Sequence, residues 1–245
     1  MTHRATLVAM RMPPPGASEI HVWSASLLLA SERVEALRDE LADDEKARAE
    51  RMHTYDLGRR FIVARALLRY LLVAYLPVDA PAPLFRYGDR GKPELADEAG
   101  LAFNVSHAED TALYAFASGR NVGIDIEATG RDVEIDGIAR KVFSPLECEA
   151  LDALSPSARR DAFFRIWTRK EAYIKALGAG FGYPTTSFTV SHCDDGDALI
   201  ADDGDPHAPR RWRVIALDAR PGYAAALAAP GRDWSVRQFD VPAVL

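Results

Sequence analysis

The sequence predicts an α+β fold made of two pseudo-two-fold related α/β halves, residues 1–119 and 120–245, with the ligand cleft between them. Three observations predict it. Each half carries one long helical stretch next to several short runs of strand-like residues. The order of those pieces in the second half repeats that of the first. Sliding one long helix onto the other, by about 106 residues, sets Phe61 on Trp167, Ala66 on Ala172 and Arg69 on Lys175.

The elements follow in order. From Ile20, "IHVWSASLLL" reads as a strand entering a core, and a helical stretch rich in alternating charges begins near Ser31. A second helix runs from about Tyr55 to Leu76, where Pro77 opens the stiff connection "PVDAPAP". "LFRYG", "LAFNVS", "TALYAFAS" and "NVGIDIE" then read as strands separated by Gly, Asp and Asn turns. In the second half "KVFSPLECEALDAL" opens a helix and a second, long helix ends in "WTRKEAYIKALGAG". "SFTVSH", "WRVIALDA", "GYAAALAA" and "WSVRQFD" complete the strands, and the acidic stretch "DDGDALIADDGD" reads as a solvated hairpin loop.

Composition bounds the function. A chain of 245 residues with 48% apolar side chains can bury a substantial core, and its formal charge of −6 supplies no global field for nucleic acid or an anionic membrane. Any anionic ligand must be held by a local cluster. Two cysteines, Cys148 and Cys193, build neither a disulfide framework nor a zinc spacing. The longest apolar segment is too short to span a bilayer and contains Arg69, and no apolar run follows basic residues at the N-terminus. These features place the protein in the cytoplasm, without nucleic acid or membrane as a partner.

Chemistry concentrates in two segments. In "VGIDIE", period-two alternation sets Val122, Ile124 and Ile126 on one face and Gly123, Asp125 and Glu127 on the other, with the two carboxylates about 7 Å apart. On the long helix, at 100° per residue, Phe163, Phe164, Trp167, Ile174 and Gly178 share an arc. Glu171 lies inside that arc, and Lys170 and Lys175 flank it, whereas Arg165 and Arg169 fall on the opposite face, where solvent is expected. An i,i+4 pair such as Glu171–Lys175 ordinarily sits on the surface and contributes roughly 0.3 kcal/mol. A carboxylate on the packed side must instead meet a cation. Asp125, Glu127 and Glu171 form an oxygen-only set, which selects a hard ion such as Mg²⁺, commonly held together with phosphate oxygens.

Other motifs carry less. "FNVSH" ends a strand with Ser106 and His107, both able to donate to phosphate, yet adjacent strand residues face opposite ways and cannot pair as nucleophile and base. "DRGKPEL" is a Gly-containing turn with Lys92 and a stiff Pro93. "FSPLE" reads as a capping box between Ser144 and Glu147 with Pro145 at the first helical position, so Glu147 is assigned to structure. Arg59, Arg60, Arg65 and Arg69 crowd one helix.

Taken in order, "GKP", "FNVSH", "VGIDIE", "FSPLE" and "WTRKEAYIKALGAG" resemble the Sfp-type 4′-phosphopantetheinyl transferases, from about Lys46 to Val190. The resemblance implies the fold of that family, usually monomeric, with coenzyme A bound between the halves. It implies transfer of the phosphopantetheine arm to a serine of an apo acyl or peptidyl carrier protein, with release of adenosine 3′,5′-bisphosphate. By motif, Asp125, Glu127 and Glu171 would hold Mg²⁺; Lys175, with Lys170 nearby, would contact phosphate; Ser106 and His107 would bind the phosphates of coenzyme A. Gly91, Lys92 and Pro93 would border the adenine and its 3′-phosphate, with Arg60 and Lys46 as further 3′-phosphate ligands. Glu171 is the candidate general base. A Mg²⁺-dependent nucleotide phosphohydrolase and a non-catalytic carrier-binding module are the alternatives.

Overall fold

The computed structural model describes residues 11–88, 93–96, 100–193 and 196–242. Strand β1 (Glu19–Ser26) leads through helices α1 (Ser31–Asp39) and α2 (Asp43–Glu50) to the long helix α3 (Tyr55–Tyr75). Thr54 starts α3 by accepting a hydrogen bond from the Leu57 amide at 3.2 Å, and the helix stops just before Pro77. A short pair, β2 (Phe85–Tyr87) and β3 (Pro93–Leu95), precedes the hairpin of β4 (Leu101–Ala108) and β5 (Thr111–Ser118). After β6 (Gly123–Ala128) come α4 (Ile135–Val142), α5 (Pro145–Asp152) and the long helix α6 (Pro156–Leu177). Strands β7 (Phe188–Val190) and β8 (Leu199–Asp202), the short α7 (Ala208–Arg211), and β9 (Trp212–Ala216), β10 (Tyr223–Pro230) and β11 (Ser235–Asp240) end the chain.

Two sheets carry the architecture, one ordered β11-β1-β5-β4 and the other β6-β10-β9. Strand alternation sorts their side chains into three cores. Trp23, Ala25, Ala112, Tyr114 and Phe116 face α3 and pack with its Val63, Leu67 and Leu71. On the opposite faces Ile20, Val22, Leu113 and Ala115 meet Ile124, Ile126, Ala225 and Leu227 of the second sheet. The outer face of that sheet, through Ala226 and Ala228, packs on Phe163, Ile166, Ala172 and Tyr173 of α6. The layers therefore run helix, sheet, sheet, helix, with α3 and α6 as the two covers. One strand departs from a simple division near residue 119: β11 returns to the first sheet and pairs in parallel with β1, Ile20 opposite Val236.

Beside β6, the first sheet's edge strand β4 joins the seam through side chains rather than a backbone ladder. Asn104 Oδ1 accepts from the Ile124 amide at 2.8 Å and Ser106 Oγ accepts from the Ile126 amide at 3.4 Å. Both residues are buried and stand two apart on β4, so they reach the same neighbour and satisfy amides that an unpaired edge would leave costly.

Two expectations are corrected. Arg169 does not face solvent and Arg165 is half-buried: Arg169 is 1% exposed and its guanidinium donates to the Ser191 carbonyl at 2.6 Å, while Arg165 donates to the His192 carbonyl at 3.0 Å. The segment following β7 covers that side of the helix and offers backbone carbonyls as partners. The acidic stretch is not uniformly solvated either, because Asp202 is buried and accepts from the Tyr173 hydroxyl at 2.8 Å and the Tyr183 hydroxyl at 2.6 Å. Residues 194–195 of that stretch lie outside the described residues.

Close approach of α6 to β6 depends on Gly123. A Cβ there would stand 2.1 Å from the Ala172 carbonyl oxygen and 2.3 Å from the Ala176 amide nitrogen, both backbone atoms that cannot rotate away. A Gly123→Val variant is expected to lose about 3 kcal/mol or more of folding stability, read from the denaturant midpoint; an unchanged midpoint would show that the helix is not seated on this glycine.

Candidate functional site

Gly123 fixes the helix one residue from its consequence. With Ala172 and Ala176 on the glycine, the neighbouring residues Glu171 and Lys175 stand over Asp125 and Glu127, the two acids that alternation turns toward α6. Asp125 is 4% exposed. Its Oδ1 accepts from Lys175 Nζ at 2.6 Å and from the Ser106 hydroxyl at 2.8 Å. Lys175 Nζ also donates to Ser106 Oγ at 3.1 Å and to the Ile124 carbonyl at 3.2 Å. A buried carboxylate of the second sheet is thus met by one residue from the first sheet and one from the helix that covers its own.

The remaining oxygen, Asp125 Oδ2, is buried and has no hydrogen-bond partner among the described residues. Glu127 is held on both oxygens, Oε1 by the indole N–H of Trp167 at 3.1 Å and Oε2 by Arg131 at 3.0 Å. Trp167 is itself fixed against Phe163, ring centroids 6.0 Å apart. Burial, and after it the negative charge of Asp125, pushes the pKa of Glu127 up. Glu171 shifts the same way, by burial first, then Asp125, with Lys175 opposing. The three acids therefore repel one another in a partly dehydrated place. Their donor chemistry and the orphaned Asp125 oxygen suit a hard divalent cation. Among the described residues, however, no group of three His, Cys, Asp or Glu side chains stands close enough to hold a metal ion; Lys175 engages one oxygen of Asp125, and Trp167 and Arg131 engage those of Glu127.

His107 is exposed at the end of β4, turned to the other side of the strand from Ser106. Desolvation by the surrounding protein lowers its pKa, and the positive charges of Lys175 and Arg60 add to that lowering. Arg60, on the first turns of α3, is paired with Asp110 at 2.9 Å and lies 3.7 Å from Glu109, both at the tip of the β4–β5 hairpin. Lys46 stands on α2, 4.0 Å from Asp43. Pro93 begins β3 opposite Tyr87; Gly91 and Lys92 lie outside the described residues. A hollow of about 760 Å³, lined by Thr129, Asp161, Arg165, Leu217 and Tyr223 among others, includes none of the predicted site residues.

Lys170 is placed elsewhere. Its ammonium is 2% exposed and donates to Glu147 Oε1 and Oε2, both at 2.8 Å, and to the Phe188 carbonyl at 2.6 Å. An ammonium has three N–H donors, so these partners leave none for a phosphate. Glu147 meanwhile accepts from the Ser144 amide at 2.7 Å, completing the expected capping box, and from the Val190 amide at 2.7 Å. Glu147 is thus both a cap and the counter-charge of Lys170, a pairing that the capping pattern does not announce. Asn104, Arg131 and the indole of Trp167 are further site-forming groups to which the sequence reading gave no role. Trp167 was placed on the arc that holds Glu171 and Asn104 lies two residues before Ser106, whereas Arg131 left no trace.

The superfamily model described as 4′-phosphopantetheinyl transferase superfamily matches residues 121–228. The 4′-phosphopantetheinyl transferase HetI of Nostoc sp. is 39% identical over 227 residues, 89% of this chain and 90% of that one. The 4′-phosphopantetheinyl transferase Sfp of Bacillus subtilis is 29% identical, over 84% of this chain and 89% of its own. AcpT of Escherichia coli strain K12 is 36% identical over 55% of this chain and 69% of its own. The chain belongs to the 4′-phosphopantetheinyl transferase superfamily. It is an enzyme, a 4′-phosphopantetheinyl transferase.

Replacing Lys170 separates the two roles assigned to it. Lys170→Met leaves Glu147 buried without its counter-charge and is expected to cost about 3–5 kcal/mol of stability, with part of the loss recovered in Lys170→Met/Glu147→Gln, which removes the buried charge and keeps an acceptor for the Ser144 and Val190 amides. Urea unfolding of both variants measures it. A phosphate-binding role would instead appear as a raised Michaelis constant for coenzyme A with stability unchanged.

Proposed function

We propose that this enzyme moves the 4′-phosphopantetheine arm of coenzyme A to a serine hydroxyl of an apo acyl or peptidyl carrier protein, in a Mg²⁺-dependent reaction that releases adenosine 3′,5′-bisphosphate. The observation that carries the reading is Asp125: a buried carboxylate at the seam of the two sheets, with one oxygen on Lys175 and the other without a partner, beside Glu127 and Glu171. Nothing in ordinary packing rewards three acids gathered in a place of reduced hydration.

Asp125, Glu127 and Glu171 would hold the ion. When bound, Mg²⁺ supplies neutralisation of the diphosphate charge and polarises the phosphoryl oxygens. Lys175, already anchored on Asp125 and Ser106 and part-exposed, presents its charge to the same phosphate. The exposed His107 and, beyond it, Arg60 extend a line of cationic and donor groups suited to the other phosphates of coenzyme A. The carrier serine attacks the β-phosphorus; Glu171 accepts its proton; the bond from that phosphorus to the bridging oxygen breaks, and adenosine 3′,5′-bisphosphate leaves with the oxygen. Held in this arrangement, the reacting groups meet in line, which is where such catalysis gains most. Support for Lys46 is weaker in kind, since its neighbour is Asp43 alone among the contacts described, and Lys170 has no part in this scheme. The same reading makes the protein a cytoplasmic monomer that meets its carrier transiently; among the described residues no helix is long and apolar enough to cross a membrane.

An apo carrier incubated with enzyme, coenzyme A and Mg²⁺ is expected to gain the mass of one phosphopantetheine group in a mass spectrum, and to gain none after chelation of the metal. Consumption of coenzyme A without carrier would instead identify a hydrolase. Asp125→Asn and Glu171→Gln are each expected to slow transfer at least about 100-fold while the far-ultraviolet dichroism is retained; near-wild-type transfer in either variant would remove that acid from the site.

A further inference from the structure

Arg131 stands four residues beyond Glu127 in the turn that follows β6, and nothing in the motifs above includes it. Its guanidinium lies 3.0 Å from Glu127 Oε2. A flexible surface arginine would hold such a contact only loosely, but the turn is fastened. Arg160 of α6 donates through Nε to the Thr129 carbonyl at 2.8 Å and through Nη2 to the carbonyl of Arg131 itself. The Thr129 amide donates to the Gly222 carbonyl at 2.8 Å. Arg160 is seated in turn against the ring of Phe164, 5.6 Å from its centroid. The backbone that bears Arg131 is therefore tied to α6 and to the start of β10, and the guanidinium is presented to Glu127 from a fixed base.

The opposite oxygen of Glu127 is tied as well, by the Trp167 indole. One acid of the trio thus has both oxygens engaged by donors of its own chain, whereas Asp125 keeps one oxygen unpartnered. The indole is neutral and can share an oxygen with a cation on its other lone pair; a guanidinium carries a full positive charge and repels one. Glu127 and Arg131 differ in exposure, 18% and 46% for their side chains, so their pairing is screened and weak enough to yield to a doubly charged ion.

We infer that Arg131 is a positioning residue that competes with the divalent ion for Glu127 Oε2, lowering the affinity of the empty enzyme for metal. The inference rests on the assignment of Glu127 as a ligand. Arg131 keeps the acid oriented and charge-compensated until an ion of higher charge, accompanied by the diphosphate of coenzyme A, replaces it. Metal taken up alone is then held less tightly than the three acids would hold it without the arginine.

Calorimetric titration of the full-length, coenzyme A-free protein with MnCl₂ tests this without reference to catalysis. Arg131→Gln is expected to tighten Mn²⁺ binding about two- to fivefold, the size of a released exposed ion pair, and Arg131→Lys, which keeps the charge, to stay close to wild type. In a Glu127→Gln background, Arg131→Gln should change nothing further. Unchanged or weakened Mn²⁺ binding in Arg131→Gln, with Glu127→Gln still weakening it, would overturn the role of Arg131 and leave the metal assignment standing. If neither Asp125→Asn nor Glu127→Gln alters Mn²⁺ binding, the metal assignment itself fails, and the inference with it.

Discussion

The contact between Asp125 and Lys175 is the constraint on which the rest of the structure turns. A lysine and an aspartate 2.6 Å apart, one of them almost wholly buried, must be brought together by elements that have no freedom to drift. Gly123 removes the side chain that would keep α6 off β6, and Asn104 and Ser106 bind the free amides of β6 so that edge strand β4 can lie beside it. Ser106 does both tasks, since its hydroxyl also donates to Asp125. A change at Gly123 or Asn104 alters the site by moving an element, whereas a change at Ser106 also removes a contact to Asp125.

The long helix α6 carries two ammonium groups with opposite fates. Lys175 has a part-exposed side chain and touches a carboxylate that still has an unpartnered oxygen, so its charge is shared between the protein and whatever binds beside it. Lys170 is enclosed, with every donor taken by Glu147 and Phe188. Five residues separate them, a little under one and a half helical turns, which is enough to put one at the seam and the other against α5 and β7. The buried pair anchors α6 to the capping box of α5 and so holds the working end of the helix in place at a distance.

Much of this was legible in the sequence. Period-two alternation placed Asp125 and Glu127 on the face turned to α6, a local consequence of backbone geometry, whereas Glu171, which helical phase put inside the packed arc, is half-buried. The α+β class was legible in the alternation of long helical stretches with short strand-like runs. What failed were inferences that needed to know the neighbour. Helical phase assigned Arg169 to solvent because it cannot see the segment after β7, and it grouped Lys170 with Lys175 because it cannot see Glu147. The parallel return of β11 to β1 and the grip of Arg131 and Trp167 on Glu127 are likewise contacts between residues that no local period links.

The acids are not gathered into a closed cage: Lys175 holds Asp125, and Arg131 and the Trp167 indole hold Glu127; in the proposed reaction a divalent ion joins Lys175 at Asp125 and displaces Arg131 from Glu127. That is the central claim, and a crystal structure of the protein with coenzyme A and magnesium tests it most directly. Oxygens of Asp125, Glu127 and Glu171 converging on one ion that also touches the diphosphate is the predicted result. The same carboxylates splayed apart toward bulk solvent, with the diphosphate lodged elsewhere, would contradict it.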